Sequence, residues 1–547
     1  VPSTEPGPVT EFPWFTYLYA DLHAHAMALP YTAVALGLAL AYVRREPGGG
    51  RMGAALRFGL LALVLGALWP MNTWDVPTYV FLALVALLLG WWGVRRRPDL
   101  RSLLRPIALA AGLVATAYLL FLPFHEHYRS AFTGVERWRG SRTGIVDYLE
   151  IHGLFLFLIV AALAADFWLA RDLGPVPRLL RLLLRKRRPR RLLRLHRTLV
   201  SASPAYTAGI AGALLGLLVA LGLAIVGEGV PALIVALLTF VALLFVRRPG
   251  EAPPALPPLA RRLRQMTLVL VGTGLVITLA VEYLVIRRID IGRSATVFKT
   301  YNQVWLLWAV AAAVSVGVVY EYSRRLPRPW RAAWATGFGL LFGGSLLYPA
   351  LATPAKIDDR FDQSVGPTLN GMAFMKKAFH TDRRPMRLVY DLEAIRWMQE
   401  HVEGSPVVAE VNTDPTLYGW GNRYAMFTGN PAVVGWGFHE SQQRSIASET
   451  AIPDRIHDVQ RLYRTRDPDV AYGLLRRYGV RYVVVGPLER AYFPRGQRKW
   501  ALREGSLWDL VYRNRGTAVY RVRQPSPSYV VRRRVAGRLE ERGPGGG

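Results

Sequence analysis

About ten apolar runs, each near the roughly 20 residues that a helix needs to cross a bilayer, leave few folds open to this chain. They fall near 26–43, 54–70, 75–94, 104–122, 153–170, 206–226, 229–246, 266–286, 302–320 and 332–350. None alternates apolar and polar residues with period two, and each is too long for a barrel strand. Helices are therefore expected, because a helix satisfies every backbone N–H and C=O within its own segment. The expected fold class is a polytopic all-α membrane bundle with a C-terminal extracytoplasmic α/β domain. Its plan is a loop at 1–25, a transmembrane helical domain at 26–350, a linker at 351–386, a soluble α/β domain at 387–523 and a disordered basic tail at 524–547. The first residues read as a loop between helices, so N-terminal spans are expected to precede Val1.

The formal charge of +30 would suggest nucleic acid if it formed one surface. It is instead divided among loops between apolar runs, and no nucleic-acid partner is expected. The basic loops are Arg44–Arg51, Arg95–Arg105, Arg171–Arg197, Arg247–Arg264 and Arg324–Arg331. All fall on one side of the bundle if every run spans, and the positive-inside rule makes that side cytoplasmic. Leucines at helical spacing within Arg171–Arg197 suit a helix lying on anionic lipid, and a solvated topology signal explains the same residues. With no cysteine, the chain has no disulfide, thiolate zinc site or thiol nucleophile.

The opposite side collects the unusual loops: Glu11–His25, Pro70–Asp75, Phe124–His152 and Arg287–Thr300. Titratable groups at the mouth of a span are costly to hold near lipid, which marks these loops as candidate sites. In Asp21, His23 and His25, two histidines two residues apart share a face of an extended backbone and can ligate a divalent metal with the aspartate. The same residues can instead cap a helix, or bind an anion and move a proton. Trp74 and Asp75 cap the next helix or line the same cavity. His125, Glu126 and His127 read as snorkelling helix-end groups or as substrate contacts. Glu282, Arg287, Arg288, Lys299 and Tyr301 flank two spans, where the carboxylate can pair internally and the cations can hold a pyrophosphate.

From about Arg387 the pattern changes. Helices are expected at Leu392–His401 and Asp467–Tyr478. Strands are expected at Pro406–Val411, Tyr482–Gly486, Trp508–Tyr512 and Ala518–Val522. Between them, His439 and Glu440 sit in a glycine-rich polar loop and are candidate substrate contacts.

The strings EFPWFTYLYADLHAHAMALP, NTWDVPTY, TVFKTYNQVWLL, GNPAVVGWGFHESQQR and VVVGPLERAYF resemble the YYY membrane protein family. DLHAHA departs slightly from that family's commoner DLHPHV, keeping both histidines and the aspartate. The family's hydropathy plan looks like that of the GT-C membrane glycosyltransferases. That resemblance implies a polyprenyl-phosphate sugar donor, membrane lipid as surroundings and catalysis outside the cytoplasm of a prokaryote. It also implies an acidic residue in the first external loop. If that loop precedes Val1, Asp21 belongs to a later one.

The expected function is glycosyl transfer from a lipid-linked donor. Asp21, His23 and His25 would be the catalytic or metal-ligating group, and Arg287, Arg288 and Lys299 would take donor phosphate. The alternatives are a transporter or flippase of a lipid-linked or anionic substrate, and a non-catalytic membrane scaffold.

Overall fold

A computed structural model describes residues 10–19, 23–44, 50–92, 100–129, 134–169, 180–181, 204–245, 258–286, 293–324, 326–361, 363–411, 418–444, 448 and 450–524. The chain divides into two compact units, Val1–Asp359 and Arg360–Gly547.

The first unit is helical. Its helices are α1 (Pro13–Tyr19), α2 (Ala24–Val43), α3 (Arg51–Asn72), α4 (Val76–Trp92), α5 (Leu100–Leu120), α6 (Leu122–His127), α7 (Ile145–Leu169), α8 (Pro204–Ile225), α9 (Gly229–Phe245), α10 (Pro258–Tyr283), α11 (Ser294–Ser323) and α12 (Arg328–Arg360). Each predicted apolar run falls on one of them. Among the described residues, seven stretches are long and apolar enough to cross a membrane. This count differs from the expected one for two reasons. Arg51–Trp91 counts once, although the 3-10 turn Thr73–Asp75 divides it, and the apolar helices Leu104–Leu120 and Gly229–Phe245 are shorter. α12 runs to Arg360, so it takes in the start of the predicted linker, and none of its residues is buried. The basic loop Arg171–Arg197 lies almost wholly outside the described residues.

The core of this unit joins Leu61, Leu65, Tyr79 and Trp308 from α3, α4 and α11. In lipid, helices are drawn together by close packing rather than by expulsion of water, so small residues matter where backbones approach. A Cβ on Gly90 would lie 2.2 Å from the Tyr42 carbonyl oxygen, and one on Gly274 would lie 2.2 Å from Trp308 Nε1. Gly90→Leu is therefore expected to part α2 from α4. Forced overpacking costs about 1–3 kcal/mol, toward the upper end here because the obstacle is backbone. Monodisperse yield in detergent measures it. Gly37→Leu serves as the control, since nothing lies within 4 Å of a Cβ at that position.

A short ribbon pairs β1 (Val135–Arg137) with β2 (Leu284–Ile286), antiparallel, with Glu136 opposite Val285. It ties the loop after α6 to the end of α10.

The second unit carries a hairpin, β3 (Phe379–Asp382) with β4 (Arg384–Arg387), and a four-stranded sheet. The sheet contains β5 (Val407–Ala409), β6 (Val480–Val485), β7 (Trp508–Arg513) and β8 (Ala518–Val522), in the order β5-β6-β8-β7. β5 and β6 run parallel; β8 is antiparallel to both its neighbours. Its helices include α13 (Val389–His401), α14 (Arg423–Thr428), α15 (Gly437–Gln443), α16 (Ala451–Arg464), α17 (Pro468–Arg477) and α18 (Pro487–Tyr492). Every helix and strand expected from the sequence in this region is present, to within a few residues. α17 shows why its start is legible: Asp467 caps the Asp469 and Val470 amides, and Pro468 occupies the first turn, where no amide donor is needed. The predicted basic tail lies, after Gln524, outside the described residues.

Candidate functional site

His23 and His25 open α2. His25 is 5% exposed, and its Nε2 lies 2.9 Å from Glu11 Oε2. The Thr16 hydroxyl donates to the same oxygen at 2.8 Å. The rings of His23 and His25 are 5.3 Å apart, and both pack edge-on against Phe298 near the start of α11, at 5.7 and 4.4 Å. His23 sits at the N-cap position but makes no side-chain capping bond. Asp21 lies outside the described residues. Among the described residues no group of three His, Asp or Glu is placed to hold a metal ion. The partner that the structure supplies to His25 is Glu11, which the sequence reading passed over. Fourteen residues separate the pair, a spacing that no periodic pattern flags.

One turn along α11, Gln303 reaches the next loop. Its Nε2 donates to the Trp74 carbonyl at 3.1 Å, and its Oε1 accepts from the Thr78 hydroxyl at 2.7 Å. Asp75 is 4% exposed, and Lys299 supplies the cationic field that reaches it. The start of α11 thus touches both loops that the sequence singled out, through Phe298 and Gln303.

The third loop joins as well. Glu282, fully buried, pairs with Arg293 at 2.9 Å. Thr143 completes the group: its amide donates to Glu282 Oε2 at 2.9 Å, its hydroxyl to Oε1 at 2.5 Å, and Arg293 donates to that hydroxyl at 2.7 Å. Both carboxylate oxygens are therefore engaged within the protein. Arg142 lies over the Tyr283 ring at 4.4 Å and bonds Glu228, which also accepts from the Tyr283 hydroxyl. Arg287 and Arg288 lie outside the described residues. Tyr301 is buried against His152, with ring centroids 4.8 Å apart. His125 stacks on Tyr118 at 4.0 Å and meets Trp69 edge-on, whereas Glu126 and His127 are exposed, with the His127 ring held to the Pro123 carbonyl.

In the second unit His439 Nδ1 lies 3.0 Å from the Tyr418 hydroxyl, and Glu440 pairs with Arg444 one turn on. Neither joins the densest polar group of that unit, which the sequence did not reveal. Arg423 is completely buried and bonds Asp391 at 2.7 Å and Glu489 at 2.9 Å, with Glu410 at 3.9 Å. Glu410 and Glu489 follow the C-terminal ends of the parallel strands β5 and β6. Backbone amides complete the shell: those of Tyr424 and Ala425 donate to Glu410, and those of Gly486 and Val411 to Glu489.

Burial pushes the Glu410 carboxyl up to about 8 from an ordinary 4.5. Burial pushes the Lys499 ammonium, held by the Gly496 carbonyl at 2.8 Å, down to about 7 from 10.5. The two act in opposite directions. A raised carboxyl contributes stability that is complete below pH 4.5 and lost as pH climbs through 8. A lowered ammonium contributes stability that is complete above pH 10.5 and lost as pH falls through 7. The second unit is thus expected to be least stable between about pH 7 and 8, which proteolysis of this region across the pH range will show as a maximum in cleavage rate.

A comparison with curated proteins found no match. The strings EFPWFTYLYADLHAHAMALP, NTWDVPTY and TVFKTYNQVWLL, whose loops meet around the start of α11, all lie within residues 4–308. Those residues, more than half of the chain, match the uncharacterized membrane protein family DUF2298, and the chain belongs to that family.

Proposed function

We propose that this integral membrane protein transfers a sugar from a polyprenyl-phosphate donor to an acceptor outside the cytoplasm. The observation that supports it is the Glu11–His25 pair, 2.9 Å apart and mostly buried at the head of an apolar helix. A carboxylate that accepts from one ring nitrogen orients a neutral imidazole and leaves its other nitrogen to take a proton. In the proposed step His25 takes the proton of the acceptor hydroxyl, the oxygen bonds the anomeric carbon, and the polyprenyl phosphate leaves as an anion. Lys299 follows Phe298, which packs on His25, and suits the departing phosphate together with Arg287 and Arg288. Asp21 is retained as a candidate base or metal ligand. The arginine-rich loops, read by the positive-inside rule, support this mouth and the C-terminal unit lying outside the cytoplasm, and the family resemblance implies a prokaryotic cell membrane.

Membranes carrying wild-type, His25→Ala or Asp21→Ala protein, given a radiolabelled lipid-linked sugar, test the reading. Loss of a positioned acid–base group is expected to slow transfer by about 10²–10⁴-fold in His25→Ala. Equal transfer by wild type and His25→Ala removes the imidazole from the mechanism, and equal transfer by Asp21→Ala removes that aspartate.

A further inference from the structure

The short helix α1 reads PWFTYLY, with four aromatic rings in seven residues and no charged side chain. Trp14 and Tyr17, three positions apart, share a face of it, and each is 52% exposed. Thr16, on the other side, is buried and donates to Glu11. Both neighbouring helices hold α1 in place. The Tyr17 hydroxyl donates to the Ala26 carbonyl of α2 at 3.2 Å, and Trp14 Nε1 donates to the Thr353 hydroxyl of α12 at 3.1 Å. Phe12, just before α1, meets the Tyr348 ring of α12 edge-on at 4.9 Å. With the N–H and O–H bonded inside the protein, what Trp14 and Tyr17 present outward is apolar ring surface.

That surface continues onto α2. Met27, Tyr31 and Val34, spaced four and three residues apart, form an exposed stripe on a 20-residue helix long and apolar enough to cross a membrane. Such a stripe on a spanning helix faces acyl chains. α1 is attached at the first turn of α2, where the span begins, so its outward rings stand at the level where acyl chains give way to headgroups. Trp and Tyr are the residues enriched at that level. Water would leave both rings hydrated, and a protein partner covering them would have to cover the α2 stripe within the hydrocarbon as well.

We propose that α1 is an interfacial anchor, with Trp14 and Tyr17 seated in the lipid interface of the leaflet at the mouth of the bundle. Glu11, two residues before Pro13, then meets His25 at the boundary of lipid and water. Because α1 carries no charge, neutral phospholipid suffices as the partner. The inference rests on membrane insertion and not on glycosyl transfer.

The chain has no cysteine, so single cysteines can be introduced and spin-labelled without background. The full chain in neutral phosphatidylcholine bilayers is labelled at Trp14→Cys or Tyr17→Cys. Val34→Cys on α2 is the hydrocarbon reference, and Leu502→Cys, exposed in the second unit, is the aqueous one. Relaxation by oxygen against relaxation by a water-soluble nickel chelate reports depth. Both labels are expected between the two references, about 5–10 Å below the headgroup boundary. A measurement on wild-type protein guards against disturbance by the label. Phosphatidylcholine bearing a diazirine next to its glycerol should crosslink to α1 several-fold more than phosphatidylcholine bearing it at the chain end. Labels at both positions that match Leu502→Cys, or no crosslink to α1 from either lipid, overturns the proposal and puts α1 in water. Labels as deep as Val34→Cys, or a chain-end crosslink equal to the shallow one, overturns it too, since α1 would then lie within the hydrocarbon. Neither readout involves sugar transfer, so failure here leaves the glycosyl-transfer reading standing, and a failed transfer assay leaves the anchor standing.

Discussion

Arg423→Met is expected to unfold the C-terminal unit. The guanidinium is the cation at the centre of Asp391, Glu410 and Glu489, and it is fully out of water. Methionine fills much of its volume but leaves three carboxylates facing one another in an apolar interior. Removing one partner of a buried ion pair costs about 3–5 kcal/mol, a large part of the stability of an ordinary domain. Some of the loss is recovered by protonation, so the variant should be worst at high pH and improve as pH falls. Arg423→Lys restores the charge but not the fork that spans Asp391 and Glu489, and should recover only part. Protease resistance of residues beyond Arg360 is the measurement. Resistance equal to wild type at pH 8 would show that the carboxylates do not depend on this cation.

The second large effect lies at the mouth of the bundle. Arg293→Met is expected to lower the thermal midpoint in detergent sharply, because Glu282, with none of its side chain exposed, loses its cation at 2.9 Å. Thr143 still donates two hydrogen bonds, from its amide and its hydroxyl, so the loss should fall toward the lower end of about 3–5 kcal/mol. The double variant Arg293→Met/Glu282→Gln should be more stable than Arg293→Met alone, since the unpaired charge is then gone while the amide keeps an acceptor for Thr143. That non-additivity is the signature of a direct pair. A double variant no better than the single one would mean that Arg293 acts through packing instead.

The helices and strands were largely readable along the chain. Apolar runs too long for strands became helices, and the Asp-Pro at the head of α17 announced its start. The short apolar and β-branched stretches of the second unit became strands. Loop chemistry was readable as residue type: DLHAH, NTWD and the arginines after α10 all stood out. Their partners did not. Glu11 looked like one more polar residue before a tryptophan, and Arg423 like one more arginine in an arginine-rich chain. Thr143, which completes the Glu282–Arg293 group, has no property in sequence that sets it apart from any loop threonine.

The reason is the range over which each force acts. Backbone hydrogen bonding, side-chain sterics and exclusion of polar groups from lipid operate within a helical turn or a run of neighbours, so residue order alone was enough to place the elements of this chain. Pairing of a buried charge depends on which atoms lie within a few ångströms after packing, however far apart they are in sequence. Packing brought His25 to Glu11, Glu282 to Arg293 and three carboxylates to Arg423.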